Sequence, residues 1–105
     1  MTTICEIDGG VCGFKTTVEV KKTDNRSVSL KITTDCPNIR KLADELVELV
    51  PFEEIFKRAI QTRTYELASK YSPHPACIVP SGILKAVEVE AGLALPRPAA
   101  IRFVS

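Results

Sequence analysis

Between Cys12 and Lys21 the chain alternates: Cys12, Phe14, Thr16, Val18 and Val20 fall on one side of an extended backbone, and Lys15, Thr17, Glu19 and Lys21 on the other. The alternation returns with Val28, Leu30, Ile32, Thr34 and Cys36 set against Ser29, Lys31, Thr33 and Asp35. A period of two with one apolar side is the signature of strands that bury one face. A three-residue loop at Thr23-Asp24-Asn25 pairs Val20 with Val28, Val18 with Leu30, Thr16 with Ile32 and Phe14 with Thr34, and so sets Cys12 opposite Cys36. A two-residue loop would move the register by one and turn an apolar face to water. Directly opposed residues have Cβ atoms about 4.5 to 5.5 Å apart, so this register makes Cys12 and Cys36 neighbours on the buried face. Before them, Asp8-Gly9-Gly10-Val11 reads as a tight turn that folds Thr3–Ile7 back onto the Cys12 strand, with Cys5 facing Phe14.

The middle of the chain changes period. Pro37 suits a first helical turn, and Ile39, Leu42, Ala43, Leu46 and Val50 recur at helical spacing after it. A second helix is expected from Pro51, with Glu53 and Glu54 in its first turn and Phe52, Ile55, Phe56, Ala59 and Ile60 as its apolar stripe. Tyr65, Ala68 and Tyr71 mark a third that stops before Pro73, and Ser81 caps a fourth over Ile83–Ala91, which Gly92 ends and Pro96 keeps from resuming. Ala99–Val104 closes the chain as a strand. The expected fold is a two-layer α+β domain: a small antiparallel sheet of N-terminal hairpins plus a C-terminal strand, covered on one face by three to four helices.

Composition narrows the function classes. With 105 residues, 45% hydrophobic and 26% charged, the chain is expected to form a single domain, 1–105, with one core. The net charge is +1 and basic residues are interspersed with acidic ones, whereas a nucleic-acid partner calls for a basic stripe. No apolar run reaches membrane-spanning length and Met1–Glu6 lacks the pattern of a secretory leader, so a cytoplasmic protein with no membrane partner and with reduced thiols is expected. No glycine-rich phosphate loop, Cys-x-x-Cys pair or Ser-His-Asp signature is present.

Four cysteines then carry the candidate chemistry. In His74-Pro75-Ala76-Cys77, proline at the second position favours a four-residue turn whose end Cα atoms lie within about 7 Å, near enough for both side chains to reach one ion. Pro73 and Pro75 stiffen the approach. Cys12, Cys36, Cys77 and His74 together make a tetrahedral zinc set; Cys5 in place of His74 makes an all-cysteine set suited to zinc or an iron-sulfur cluster. Cys36 and Cys77 each precede a helix, whose free N–H groups favour thiolate. Against this, a free cysteine packs as a small apolar residue, His74 between prolines is an ordinary loop residue, and the spacing matches no zinc-finger pattern.

Cys12-Gly13-Phe14, Asp35-Cys36 and, above all, His74–Val89 resemble a family of small uncharacterised cysteine-containing proteins of anaerobic archaea and bacteria, a domain of unknown function. The resemblance covers nearly the whole chain. It implies that Cys12, Cys36, His74 and Cys77 act together, without Cys5, and an anaerobic setting favours iron-sulfur or reactive-thiol chemistry. Three functions stay open: a zinc or iron-sulfur module; a thiol enzyme with Cys77 or Cys36 as nucleophile, His74 as base and a resolving cysteine; and an interaction domain that uses Phe52 and Phe56 for a protein partner or a homodimer.

Overall fold

The computed structural model describes residues 2–72 and 74–105. Strands β1 (Thr2–Asp8), β2 (Lys15–Lys22), β3 (Val28–Thr34) and β4 (Glu48–Leu49) form one antiparallel sheet in the order β1-β2-β3-β4. Helices α1 (Pro37–Glu45), α2 (Pro51–Glu54), α3 (Arg63–Tyr71) and α4 (Val79–Glu90) accompany it, with 3-10 turns at Gly10–Cys12 and Ala59–Gln61. This is the α+β class expected from the sequence. Helices lie on one face only: α4 crosses β1 and β2, α1 packs on β3, and α3 backs onto α1 and α4. The core is the seam between the layers, Ile7, Val18, Val20, Val28 and Leu30 from the strands meeting Ile39, Leu42, Leu67, Ile83 and Val87 from the helices.

The predicted faces are correct within the strands, where Thr16, Val18, Val20, Val28, Leu30 and Thr34 are buried, but Cys12 and Phe14 are exposed outside β2, Cys36 lies past the end of β3, and the predicted registers are not found. Val18 pairs with Ile32, Val20 with Leu30 and Thr16 with Thr34, two residues displaced from the expected pairing. The cause is turn chemistry. The Asp24 carboxylate accepts from the Arg26 and Ser27 N–H groups, both at 2.7 Å, and Thr23 N–H donates to the Ser27 carbonyl at 3.0 Å. This Asx turn draws Arg26 and Ser27 into the connection and makes it five residues long, Thr23–Ser27, in place of three. A displacement of two preserves parity, so the same side chains face the core. The first hairpin differs likewise: Cys5 pairs with Val18 and Asp8 with Lys15, because residues 9–14 form a 3-10 turn closed by Gly9 N–H to the Phe14 carbonyl at 3.0 Å.

Three further elements depart from expectation. Helix α1 ends at Glu45, and Val47–Leu49 turns back to the sheet, where Leu30 N–H donates to the Val47 carbonyl. Val50 is extended, as a residue before proline prefers. The second helix is a single turn; Phe52, Phe56, Ala59 and Ile60 are exposed while Glu54 is buried. Residues 99–104 form no strand, and the fourth strand is the two-residue β4. Helix α4 begins at Val79, earlier than a Ser81 cap implies, with Pro80 in its first turn, where no intrahelical donor is needed. It ends as foreseen, with Gly92 at φ 77°.

Three contacts hold the helical layer. At Gly82 the α4 backbone lies on Ile7, and a Cβ there would fall 2.7 Å from Ile7 Cγ1. At the other end of α4, Glu90 Oε1 accepts from Thr3 Oγ1 at 2.7 Å. The third contact is the buried Glu54 carboxylate, which accepts from Arg63 N–H at 3.0 Å, Thr64 N–H at 2.8 Å and the Thr64 hydroxyl at 2.7 Å. Thr62 Oγ1 takes the next N–H, that of Tyr65, so the free donors of the first turn of α3 are satisfied.

Glu54→Ala is expected to cost about 2–3 kcal/mol, since it strands charge-assisted donors in the interior; urea unfolding measures it, and an effect under about 0.5 kcal/mol would mean that water replaces the carboxylate. Gly82→Ala should destabilise by roughly 1–2 kcal/mol despite the better helix propensity of alanine, because overpacking against Ile7 outweighs a gain of about 1 kcal/mol. A raised melting temperature for Gly82→Ala would show that Ile7 repacks freely.

Candidate functional site

The sheet brings Ile7, Thr16 and Thr34 side by side on the buried face at one end, with the Thr16 and Thr34 hydroxyls hydrogen-bonded at 2.8 Å. Three thiols belong to this end. Cys12 lies in the connection from β1 to β2, Cys36 two residues past Thr34 at the start of α1, and Cys77 two residues before α4, whose Gly82 rests on Ile7. Cys5 is one alternation further into the sheet, and its Sγ lies 4.0 Å from the Gly82 carbonyl oxygen. The four cysteines are free thiols.

The expected Cys12–Cys36 pair does not form. Cys12 ends the 3-10 turn and is exposed, outside β2; Cys36 is a half-buried helix-capping position whose N–H donates to Thr34 Oγ1 at 3.2 Å. The five-residue Asx turn and the 9–14 connection together remove the juxtaposition, the first by displacing β3 and the second by taking Cys12 out of the ladder.

The His74–Cys77 turn is present. Cys77 N–H donates to the His74 carbonyl at 3.2 Å with Pro75 inside the turn, while Pro73 lies outside the described residues. The two side chains part: His74 is exposed and Cys77 packs against the core. Cys5 and Cys36 join Cys77 at the core margin, so three thiols also serve as apolar filling. Among the described residues no group of three His, Cys, Asp or Glu side chains stands ready to hold a metal ion.

Accessibility separates the thiols. Cys12 is exposed, with its Sγ over Gly9, whose missing side chain leaves that space; a Cβ there would also meet the Phe14 carbonyl oxygen at 3.1 Å. Gly10 and Gly13, at φ 78° and 74°, flank Cys12 and supply left-handed torsions that a side chain would strain. At Cys5, burial first and the neighbouring Glu6 charge second push the thiol pKa upward.

Sequence reasoning missed two residues that shape this region, Gly82 and Glu54. Glu54 carried a usable signal: three residues after Pro51 and next to Ile55, it sits on the side of α2 that turns inward, opposite Phe52. Gly82 had none beyond a glycine inside a helical pattern.

Fold and site together define a two-layer α+β domain with thiols grouped at one end of an antiparallel sheet. The sequence pattern of a family of unknown function, DUF6951, matches residues 3–103, and the chain belongs to that family. No curated protein and no solved structure matches the chain. Among the described residues no helix is long and apolar enough to cross a membrane.

The thiols should therefore react unequally. With a small alkylating agent Cys12 is expected to be modified first and Cys5 last. A raised folded-state pKa means that the folded protein disfavours the Cys5 thiolate, so Cys5 modification should lag at neutral pH and catch up only above the ordinary thiol range near pH ~8.5. By linkage, any stability tied to the neutral Cys5 thiol is present below that range and lost as pH rises through the folded pKa. Mass spectrometry of timed alkylation reads the order; Cys5 reacting as fast as Cys12 would overturn it.

Proposed function

We propose that this domain is a non-enzymatic thiolate module that binds zinc or an iron-sulfur cluster through Cys12, Cys36 and Cys77, with His74 or Cys5 as a fourth ligand. The observation that supports it is the grouping of three thiols at the end of the sheet where β1 leaves, β2 begins, β3 ends and α1 and α4 start. Sulfur ligands suit both kinds of centre, and two of the three lie at the entries to α1 and α4.

The ligand set is not assembled beforehand. Binding would reshape the 9–14 connection, where Gly10 and Gly13 on either side of Cys12 supply the torsional freedom, so metal affinity is coupled to the conformation of that turn. Thiol catalysis with His74 as base has weaker support: among the described residues no hydrogen bond joins the His74 ring to a thiol, and its ring stands in solvent.

Protein purified without oxygen is expected to carry stoichiometric zinc or iron by elemental analysis, with charge-transfer absorption if iron-sulfur. Removing the metal should lower the melting temperature by about 4–8 °C for each kcal/mol of binding free energy released. Cys12→Ser, Cys36→Ser and Cys77→Ser should each abolish loading, and Cys77→Ser should do more damage than Cys5→Ser. Metal-free protein as heat-stable as the fresh preparation, taking up neither zinc nor iron, would end this reading.

A further inference from the structure

β1 is an edge strand along its whole length. Thr2–Asp8 pairs with β2 in an unbroken ladder of seven residue pairs, and among the described residues nothing pairs on its other side. Edges of this length are normally blunted by proline, lysine or a bulge. β1, Thr-Thr-Ile-Cys-Glu-Ile-Asp, has none of these; its charges are Glu6 and Asp8. Ile4 projects from its uncovered face and is 63% exposed.

The chain also holds a strand-type segment without a sheet. Residues 93–105, Leu-Ala-Leu-Pro-Arg-Pro-Ala-Ala-Ile-Arg-Phe-Val-Ser, follow α4 with no helix or strand. Ile101, Phe103 and Val104 are 75%, 93% and 95% exposed, so their apolar surface meets almost nothing in this chain. Isoleucine, phenylalanine and valine are strand formers, and in an extended chain Ile101 and Phe103 share a side. The segment carries Arg97 and Arg102 and no acidic residue, opposite in sign to β1. The DUF6951 match runs through residue 103, so the segment belongs to the same unit as the sheet.

We propose that residues 99–104 of one copy add as a fifth strand to the β1 edge of a second copy, and reciprocally, giving a two-fold dimer. An added strand completes the main-chain hydrogen bonds that the edge leaves open. In any register one row of its side chains lies beside Ile4 on the uncovered face. The opposed charges favour this pairing over β1 with β1, which would set Glu6 and Asp8 against their own kind.

The path of the chain favours a second copy over the segment's own sheet. Helix α4 ends beside the start of β1, where Glu90 meets Thr3. To pair within one chain, residues 99–104 would have to reverse over residues 93–98. Pro96 and Pro98 fix φ and stiffen that stretch, which bends once at Pro96, where Arg97 N–H donates to the Leu95 carbonyl at 2.8 Å, and spans at most roughly 20 Å. A stiff connection before an unpaired strand is the usual geometry of exchange between identical subunits.

Sedimentation velocity on the full chain over a concentration series tests this. The full chain is expected to dimerise, and the double variant Ile101→Asp/Phe103→Asp to weaken the dimer at least tenfold with unchanged circular dichroism. Glu6→Arg alone should weaken it, and Arg102→Glu in the same chain should restore it. A monomeric full chain, a dimer that survives the double variant, or a dimer dispersed instead by Phe52→Ser/Phe56→Ser would overturn the proposal.

Discussion

Ile7 and Gly82 occupy space that only one of them can fill. Because Gly82 has no side chain, α4 lies directly on β1, and the remaining arrangement follows from that proximity. Ile83, Ala86 and Val87 reach Val18 and Val20, Cys5 comes under the Gly82 carbonyl, and Glu90 arrives at Thr3. The start of α4, with Cys77 before it, is thereby set at the end of the sheet from which the Cys12 connection and the Cys36 cap also emerge. A helix standing a methyl group higher would separate Cys77 from that end as well as loosening the core.

The helical layer is joined to itself by charge as well as by apolar contact. Glu45 at the end of α1 lies within 3.7 Å of both Arg63 and Lys70 of α3 and accepts from the Tyr71 hydroxyl. These groups are partly exposed, so they orient α3 on α1 more than they stabilise it. The interior contacts of Leu42 and Leu67, buried in the same seam, carry the larger share.

How much of this was legible in the sequence follows from which physics each element obeys. Alternation over 16–20 and 28–34 gave the right faces because parity survives any even displacement, and the α+β class follows from that. Register depended on one carboxylate, Asp24, folding over two backbone donors, which hydrophobic pattern does not encode. The Cys12–Cys36 contact failed with the register, whereas the His74–Cys77 turn, resting on proline geometry local to four residues, held. The exposed stripe of Phe52, Phe56 and Ile60 misled because helical spacing tells which residues share a side, not which side is covered. Residues 99–104 do have the composition of a strand, but composition does not say whether a segment finds an edge to pair with, and here it lies outside the four-stranded sheet.

The Glu54 clamp has a consequence for how the molecule opens. Amides in the first turn of a helix ordinarily face water and exchange their hydrogens quickly, because no carbonyl lies ahead of them. Here the Arg63 and Thr64 amides are held by a buried carboxylate from α2, about ten residues earlier in the chain. Their solvent hydrogens can enter only when α2 lifts away from α3. The one-turn helix and the longer one after it therefore open as a single cooperative unit, and fraying of α3 from its start is suppressed while its other end, toward Ser72, remains free to breathe.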